Sequence, residues 1–340
     1  GLAGLAATGI AQALALTPEP DDPTTTDPDQ AADAAESATR DQLTKEAFQN
    51  PDNQKVNIDE NGNAHGPGVL DMKAGLVIAV YILKALHEYG YGKRPIRVVF
   101  AGDEENGHRQ TNAESEIRKL CAGCAAAFNF ETGFIDDGLV VGRKGSCRVT
   151  LTVHGVAAHA GNDPQRGRNA ILEMAHKVIE IQKLHDFEHG LFVNVGVIQG
   201  GTVANAVAAS CEVGIDIRYD SFERLEETLQ AIKKIAETRT VPDTTADVTW
   251  TKPSTVMPVS EKNLELFRHV QKAADMIGYG KLQTKKVGGW SDSCLAAAEG
   301  VPVVCAMGVK GANNHSMEEY AVAETLFSRA KLALASIIMF

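Results

Sequence analysis

Apolar and polar positions recur with different periods in different parts of this 340-residue chain, and the change of period divides it. Residues 73–89 are apolar nearly all round, which predicts a buried helix. Residues 96–100 form a short apolar run that predicts a buried strand. A helix over 113–120 and a strand over 125–130 continue this βα alternation, the pattern of a layered α/β domain. After Gly145 the period becomes two: Val149, Leu151 and Val153 share one face of a strand over 147–153. A helix at 169–184, strands at 191–198 and 206–218, a helix at 222–237 and a strand at 246–251 follow. That β-α-β-β-α-β order is the ferredoxin-like arrangement. Helix–strand alternation then returns, with helices at 261–276 and 324–339 around a strand at 302–307. The fold class is therefore α/β, with a small α+β domain inserted into it. The expected division is a layered α/β domain of 44–145 with 254–340, an inserted α+β domain of 146–253, and a disordered or atypical first 43 residues. Residues 17–38 are rich in Pro, Asp, Thr and Ala; their prolines forbid a long helix and their acids repel.

The net charge of −11, with no Lys/Arg-rich run, argues against nucleic acid as a partner. The longest apolar run, 76–83, is too short to span a bilayer. Six cysteines include one C-x-x-C pair, Cys121 and Cys124, without the second pair that a zinc ribbon needs, so free thiols are expected. Residues 1–16 are apolar, with Ala13-Leu14-Ala15 similar to a cleavage site, but lack a basic start. A trimmed export signal, a loosely ordered terminus and an artificial extension all fit, so the compartment stays open between cytoplasmic and exported.

Chemistry concentrates in two motifs. Gly66-Pro67-Gly68-Val69-Leu70-Asp71-Met72-Lys73 carries one acid, and Asp103-Glu104-Glu105 carries three at the end of the expected strand. Carboxylates gathered there are costly unless a cation or protons neutralise them, which points to a hydrolytic metal site. Plainer readings exist for each: Asp71 as a helix cap, 103–105 as a solvated strand end, Glu131 as a turn cap, His315 as a loop histidine. No G-x-S-x-G elbow supports a serine hydrolase.

Further pieces follow in order: Phe130-Glu131-Thr132, Lys144-Gly145, His159-Ala160-Gly161, Asn205, Asp216-Ile217-Arg218, Gly288-Gly289-Trp290-Ser291-Asp292 and His315. Together they resemble the M20 family of dinuclear zinc peptidases, in its glutamate carboxypeptidase-like branch, over residues 44–340. The resemblance implies that Asp71 bridges two metals and that Glu104 is the general base. It implies that Glu105 and His315 complete one metal's ligands and that Glu131 serves the other. Zn²⁺ suits such oxygen and imidazole donors, with Co²⁺ or Mn²⁺ as substitutes. His159 would reach across a homodimer to the developing oxyanion, and Asn205 and Arg218 would hold a substrate carboxylate. The rival readings are a surface histidine, a turn asparagine and an arginine paired with Asp216.

One departure stands out. The family places a His-x-Asp motif upstream of the bridging Asp, yet here the matching stretch is Thr39-Arg40-Asp41, and no histidine precedes His65. The metal at Asp71 and Glu131 would then lack its nitrogen ligand and bind weakly, and strands of the first domain would be missing. The expected function is a metal-dependent hydrolase releasing a C-terminal amino acid from a peptide or N-acyl amino acid. The alternatives are a catalytically inactive M20-fold binding protein and a single-metal esterase or deacylase.

Overall fold

The computed structural model describes residues 56–340. The expectations for residues 1–43, for Thr39 and Asp41, and for an ordered start near Thr44 lie outside the described residues. The described chain forms two compact units. The first comprises the described residues up to Gly142, with Val259–Lys286 and Ser291–Phe340; the second comprises Arg143–Pro258 and Val287–Trp290.

The first unit opens with β1 (Asn57–Ile58), β2 (Asn63–His65), α1 (Ala74–Tyr89), α2 (Ala113–Cys121), β3 (Ala127–Phe128) and β4 (Gly138–Arg143). The second unit holds β5 (Gly145–His154), β6 (Ala158–His159), α3 (Ala170–Gln182), β7 (Phe192–Gly200), β8 (Ala206–Val207), β9 (Ser210–Tyr219), α4 (Phe222–Glu237) and β10 (Thr245–Trp250). The chain then returns to the first unit with α5 (Glu261–Met276), β11 (Gln283–Val287), α6 (Ser293–Ala298), β12 (Val303–Val304), β13 (Gly311–Ala312), β14 (Tyr320–Val322) and α7 (Thr325–Met339).

The second unit is an antiparallel sheet in the order β10-β5-β9-β7, the ferredoxin-like topology. Its register follows the sequence alternation: Val149, Leu151 and Val153 of β5 are buried opposite Ile215, Val213 and Cys211 of β9. Both helices carry the expected caps. Asn169 Oδ1 accepts from the Leu172 amide, and Ser221 Oγ from that of Arg224. A buried pair, Glu173 with Lys177 at 2.9 Å, ties the helices together. The Lys177 ammonium donates to the carbonyls of Ile235, Ala236 and Thr238 at the end of α4.

The first unit packs α1 against α7 and α7 against α5, around Ile78, Ile82, Leu86, Leu266, Val270, Val304 and Leu332. Its strands are fragments. β3 and β12 pair in parallel over two residues, β4 pairs with β11, and the third sheet runs β1-β2-β14-β13. Two expectations need correction. Residues 96–100 form no strand, and Ile96 is 38% exposed. No strand among the described residues pairs with that segment, and an extended run without a ladder partner keeps its amides in water. Helix α1 is buried along one stripe only, since Val80 and Tyr81 stand 52% and 62% exposed. One glycine is indispensable to its packing. A Cβ on Gly75 would lie 2.2 Å from the Phe130 carbonyl oxygen, so α1 can approach the segment after β3 only without one.

The six cysteines are free; Cys121 and Cys124 are half-buried and the rest buried. No helix among the described residues is long and apolar enough to cross a membrane.

Candidate metal centre

Asp71 sits in the irregular turn Val69–Lys73 that leads into α1. Three backbone amides of this segment, from Gly68, Leu70 and Asp71, donate to the buried carboxylate of Glu319 at 3.0, 2.8 and 2.8 Å. Glu319 lies four residues after His315, so one loop both supplies a histidine and fixes the turn that presents Asp71. His315 Nε2 stands 2.9 Å from Asp71 Oδ2 and 3.7 Å from Glu105 Oε1. The Asn314 amide donates to the same Asp71 oxygen at 3.1 Å.

Asp71, Glu105 and His315 each offer one ligand atom, and these atoms all lie within 4.8 Å of one another. Two carboxylates and one imidazole converging from three separate segments suit a divalent cation such as Zn²⁺. Glu105 and His315 are exposed, so the position is open to solvent and to substrate.

Glu104 begins the short turn Glu104–Asn106. Burial, then the negative charges of Glu131, Asp292, Glu105 and Asp71, push its carboxyl up to about 9. Those causes place four acids within electrostatic reach of Glu104. Glu131 is itself buried at 8% exposure, and the Asn129 side chain, accepting from its amide at 3.0 Å, fixes its turn.

The structure also shows residues that motif reading passed over as chemistry. The His108 ring is wholly buried between Asp103 Oδ1 at 2.7 Å and Asp292 Oδ1 at 2.5 Å. Burial alone would lower its pKa, but the hydrogen bonds and charges of Asp292 and Asp103 raise it to about 9. Glu319 was equally invisible. Neither has a full spacing signal: Asp103 is five residues from His108, but its other partner lies 184 residues away, and those of Glu319 about 250.

The three substrate-binding candidates lie in the second unit. His159, on β6, accepts at Nδ1 from the amides of Gly161 and Asn162, both at 3.1 Å, which leaves Nε2 as the outward donor of the neutral ring. Asn205 precedes β8, and its carbonyl accepts from the Ala160 amide. Arg218, on the interior strand β9, pairs with Asp216 at 2.8 Å, the contact that its rival reading expects. Trp290 is half-buried and donates to Thr255 Oγ1 at 3.2 Å.

Comparison with known proteins adds kinship to geometry. Residues 141–244 match the family model described as the peptidase dimerisation domain. The aminopeptidase PepT of Bacillus cereus superposes with a TM-score of 0.71 at 22% identity, covering 84% of this chain and 76% of that one. An M20 family metallo-carboxypeptidase of Sulfolobus solfataricus superposes with a TM-score of 0.62 at 16% identity, covering 83% and 78%. The chain has the M20 metallopeptidase fold. Residues 1–27 match the N-terminus of the translocated intimin receptor Tir, and 28–79 match its intimin-binding domain model. Tir of Escherichia coli O127:H6 is 86% identical over 70 residues, which are 21% of this chain and 13% of Tir. The chain thus spans about an eighth of the length of the curated relatives it matches. These matches include positions 39–41, where the M20 pattern would place its first metal-binding histidine.

Proposed function

We propose that the chain is a metal-dependent amide hydrolase of the M20 type, acting on small peptides or N-acyl amino acids to release a C-terminal residue. The convergence of Asp71, Glu105 and His315 on one point, with Glu104 half-buried beside it, carries this reading. The chemistry a divalent cation supplies at that point is Lewis-acid polarisation of an amide carbonyl and of a water molecule. Glu104 is then placed to take the proton of the attacking water and to return it to the leaving amine. Burial is the largest cause of the raised Glu104 carboxyl; neutralising the neighbouring carboxylates removes the part due to their charges and favours the base form. Glu131 is the protein ligand for a second, weaker position beside Asp71. The two ligands proposed for it, Asp71 and Glu131, both offer oxygen. Arg218 and Asn205 are proposed to hold the substrate carboxylate, and His159 to meet the oxyanion from a partner subunit.

The proposed homodimer forms through the second unit. Strand β7 has a neighbour only on its β9 side among the described residues, and Val197 and Ile198 on it are more than half exposed. Ile171, Leu172 and Ile179 of α3 add exposed apolar surface to the same unit.

Zinc titration of dialysed protein, read by hydrolysis of a panel of N-acyl amino acids, tests the assignment. Turnover that saturates at one zinc per chain supports it. A folded protein without turnover at any zinc level favours a binding protein instead. Ester turnover without amide turnover favours the single-metal esterase instead.

A further inference from the structure

His108 occupies a position that its backbone does not favour. It follows Gly107 in the left-handed region, with φ of 58°, where a residue bearing a Cβ costs roughly 1 kcal/mol. Such strain persists where surrounding contacts over-determine the conformation. Here the contacts are made by the ring. Both nitrogens face carboxylate oxygens, at 2.7 and 2.5 Å, and a neutral imidazole has only one N–H to offer. Both nitrogens must therefore donate. Asp103 is held from its other side by the Thr111 hydroxyl, which donates to Oδ2 at 2.5 Å. The His108 amide also closes back onto the Asp103 carbonyl at 3.1 Å.

The two carboxylates belong to different segments. Asp103 immediately precedes Glu104 and Glu105. Asp292 ends the Gly-Gly-Trp-Ser-Asp run and starts α6. Asp292 is also among the charges acting on Glu104. The ring is thus the bolt between the turn bearing the general base and the loop that faces it.

We propose that His108 is a positioning residue whose doubly anchored ring fixes the Glu104–Glu105 turn against the Asp292 loop and so sets where the Glu104 carboxylate stands. The proposal rests on the reading of Glu104 as general base and adds a determinant to it. Its chemical content is geometric. An outer residue that orients a reacting group or a ligand commonly costs 10–100-fold in activity or metal affinity when removed.

The test compares the wild type, His108→Gln, and the double variant His108→Gln with Asp292→Asn. In the single variant the glutamine amide can donate to one carboxylate while its oxygen confronts the other. In the double variant the asparagine side chain introduced at position 292 can donate to that oxygen, which restores the bridge without its charges. At saturating zinc, His108→Gln should lower kcat for an N-acyl amino acid about 10–100-fold with KM changed less than about twofold. The double variant should recover at least about tenfold of that loss. A single variant with wild-type kcat overturns the proposal, and so does a double variant no better than the single. Zinc affinity by calorimetry is the second readout, because Glu105 shares the turn. It should weaken about tenfold in the single variant and recover in the double. If the wild type shows no turnover, the hydrolase reading fails, while the zinc series still decides whether His108 positions the turn. Should His108→Gln fail to fold, the double variant, free of the confronted carboxylate, decides alone against the wild type.

Discussion

The two units of this chain use their residues in opposite ways. In the second unit, β5 and β9 pair residue for residue from Gly145 with Tyr219 to His154 with Ser210, and buried positions alternate without interruption. In the first unit no strand among the described residues exceeds six residues, and several are pairs. Every member of the proposed metal position stands on a turn or loop of that irregular unit: Asp71 before α1, Glu105 after Asp103, His315 between β13 and β14. The regular unit invests its sequence in a core, whereas the irregular one holds like charges together. The lesson is that regularity and chemistry are separated here by fold. A scaffold of helices positions loops whose acids would repel one another in any less constrained arrangement.

The sharpest way to break the comparison is to change chemistry without changing stability. Glu104→Gln removes the proposed base and one repelling charge. Hydrolysis should fall about 10²–10⁴-fold at saturating zinc, with the melting temperature unchanged or higher. A parallel loss of melting temperature would show that Glu104 serves structure instead. The converse experiment is Ile215→Ala in the core of the second unit. It should cost about 2–5 kcal/mol in denaturant unfolding while zinc affinity stays within about twofold. A matching drop in zinc affinity would show that the two units do not divide stability and chemistry.

A third effect separates the units by pH. His108 in the folded protein titrates near 9, well above an ordinary histidine. Its contribution is therefore complete below about pH 6.5 and is lost as pH rises through about 9. The stability difference between wild type and His108→Gln should shrink across that window by up to about 3 kcal/mol. A constant difference would mean that the ring is not held as an imidazolium. The smallest expected effect belongs to Gly75→Ala. Its Cβ would press on the Phe130 carbonyl, and relief requires α1 to shift. A loss of about 1–3 kcal/mol is expected, together with weaker zinc binding, because the Asp71 turn leads into α1. An alanine variant with wild-type stability would show that the helix already has room.

These differences explain what was legible in the chain. The second unit could be read from period alone, and its α4, Phe222–Glu237, coincides with the apolar pattern to the residue. Residues 96–100 misled because an apolar run reports burial preference, whereas a strand also needs a partner. At the candidate site, the ordered series of motifs singled out Asp71, Glu105 and His315, and the structure brings these three together. Glu319 and His108 were not singled out, since their roles arise from hydrogen bonds between segments far apart in sequence. Arg218 shows both readings side by side: the resemblance gives it a substrate carboxylate, and its Nε pairs with Asp216.

The Glu319 carboxylate carries a consequence for how the protein is made. The acceptor for the Asp71 amide leaves the ribosome 248 residues after Asp71 itself. At 5–20 residues per second, roughly 12–50 s pass between the two. During that interval the turn has no carboxylate to receive its three amides, and His315 does not yet exist. The second unit, whose sheet is complete by Trp250, can close while the acids at 103–105 still wait for their histidine. Capture of the proposed metal is thus expected late in biosynthesis, gated by the segment that brings His315 and Glu319 together.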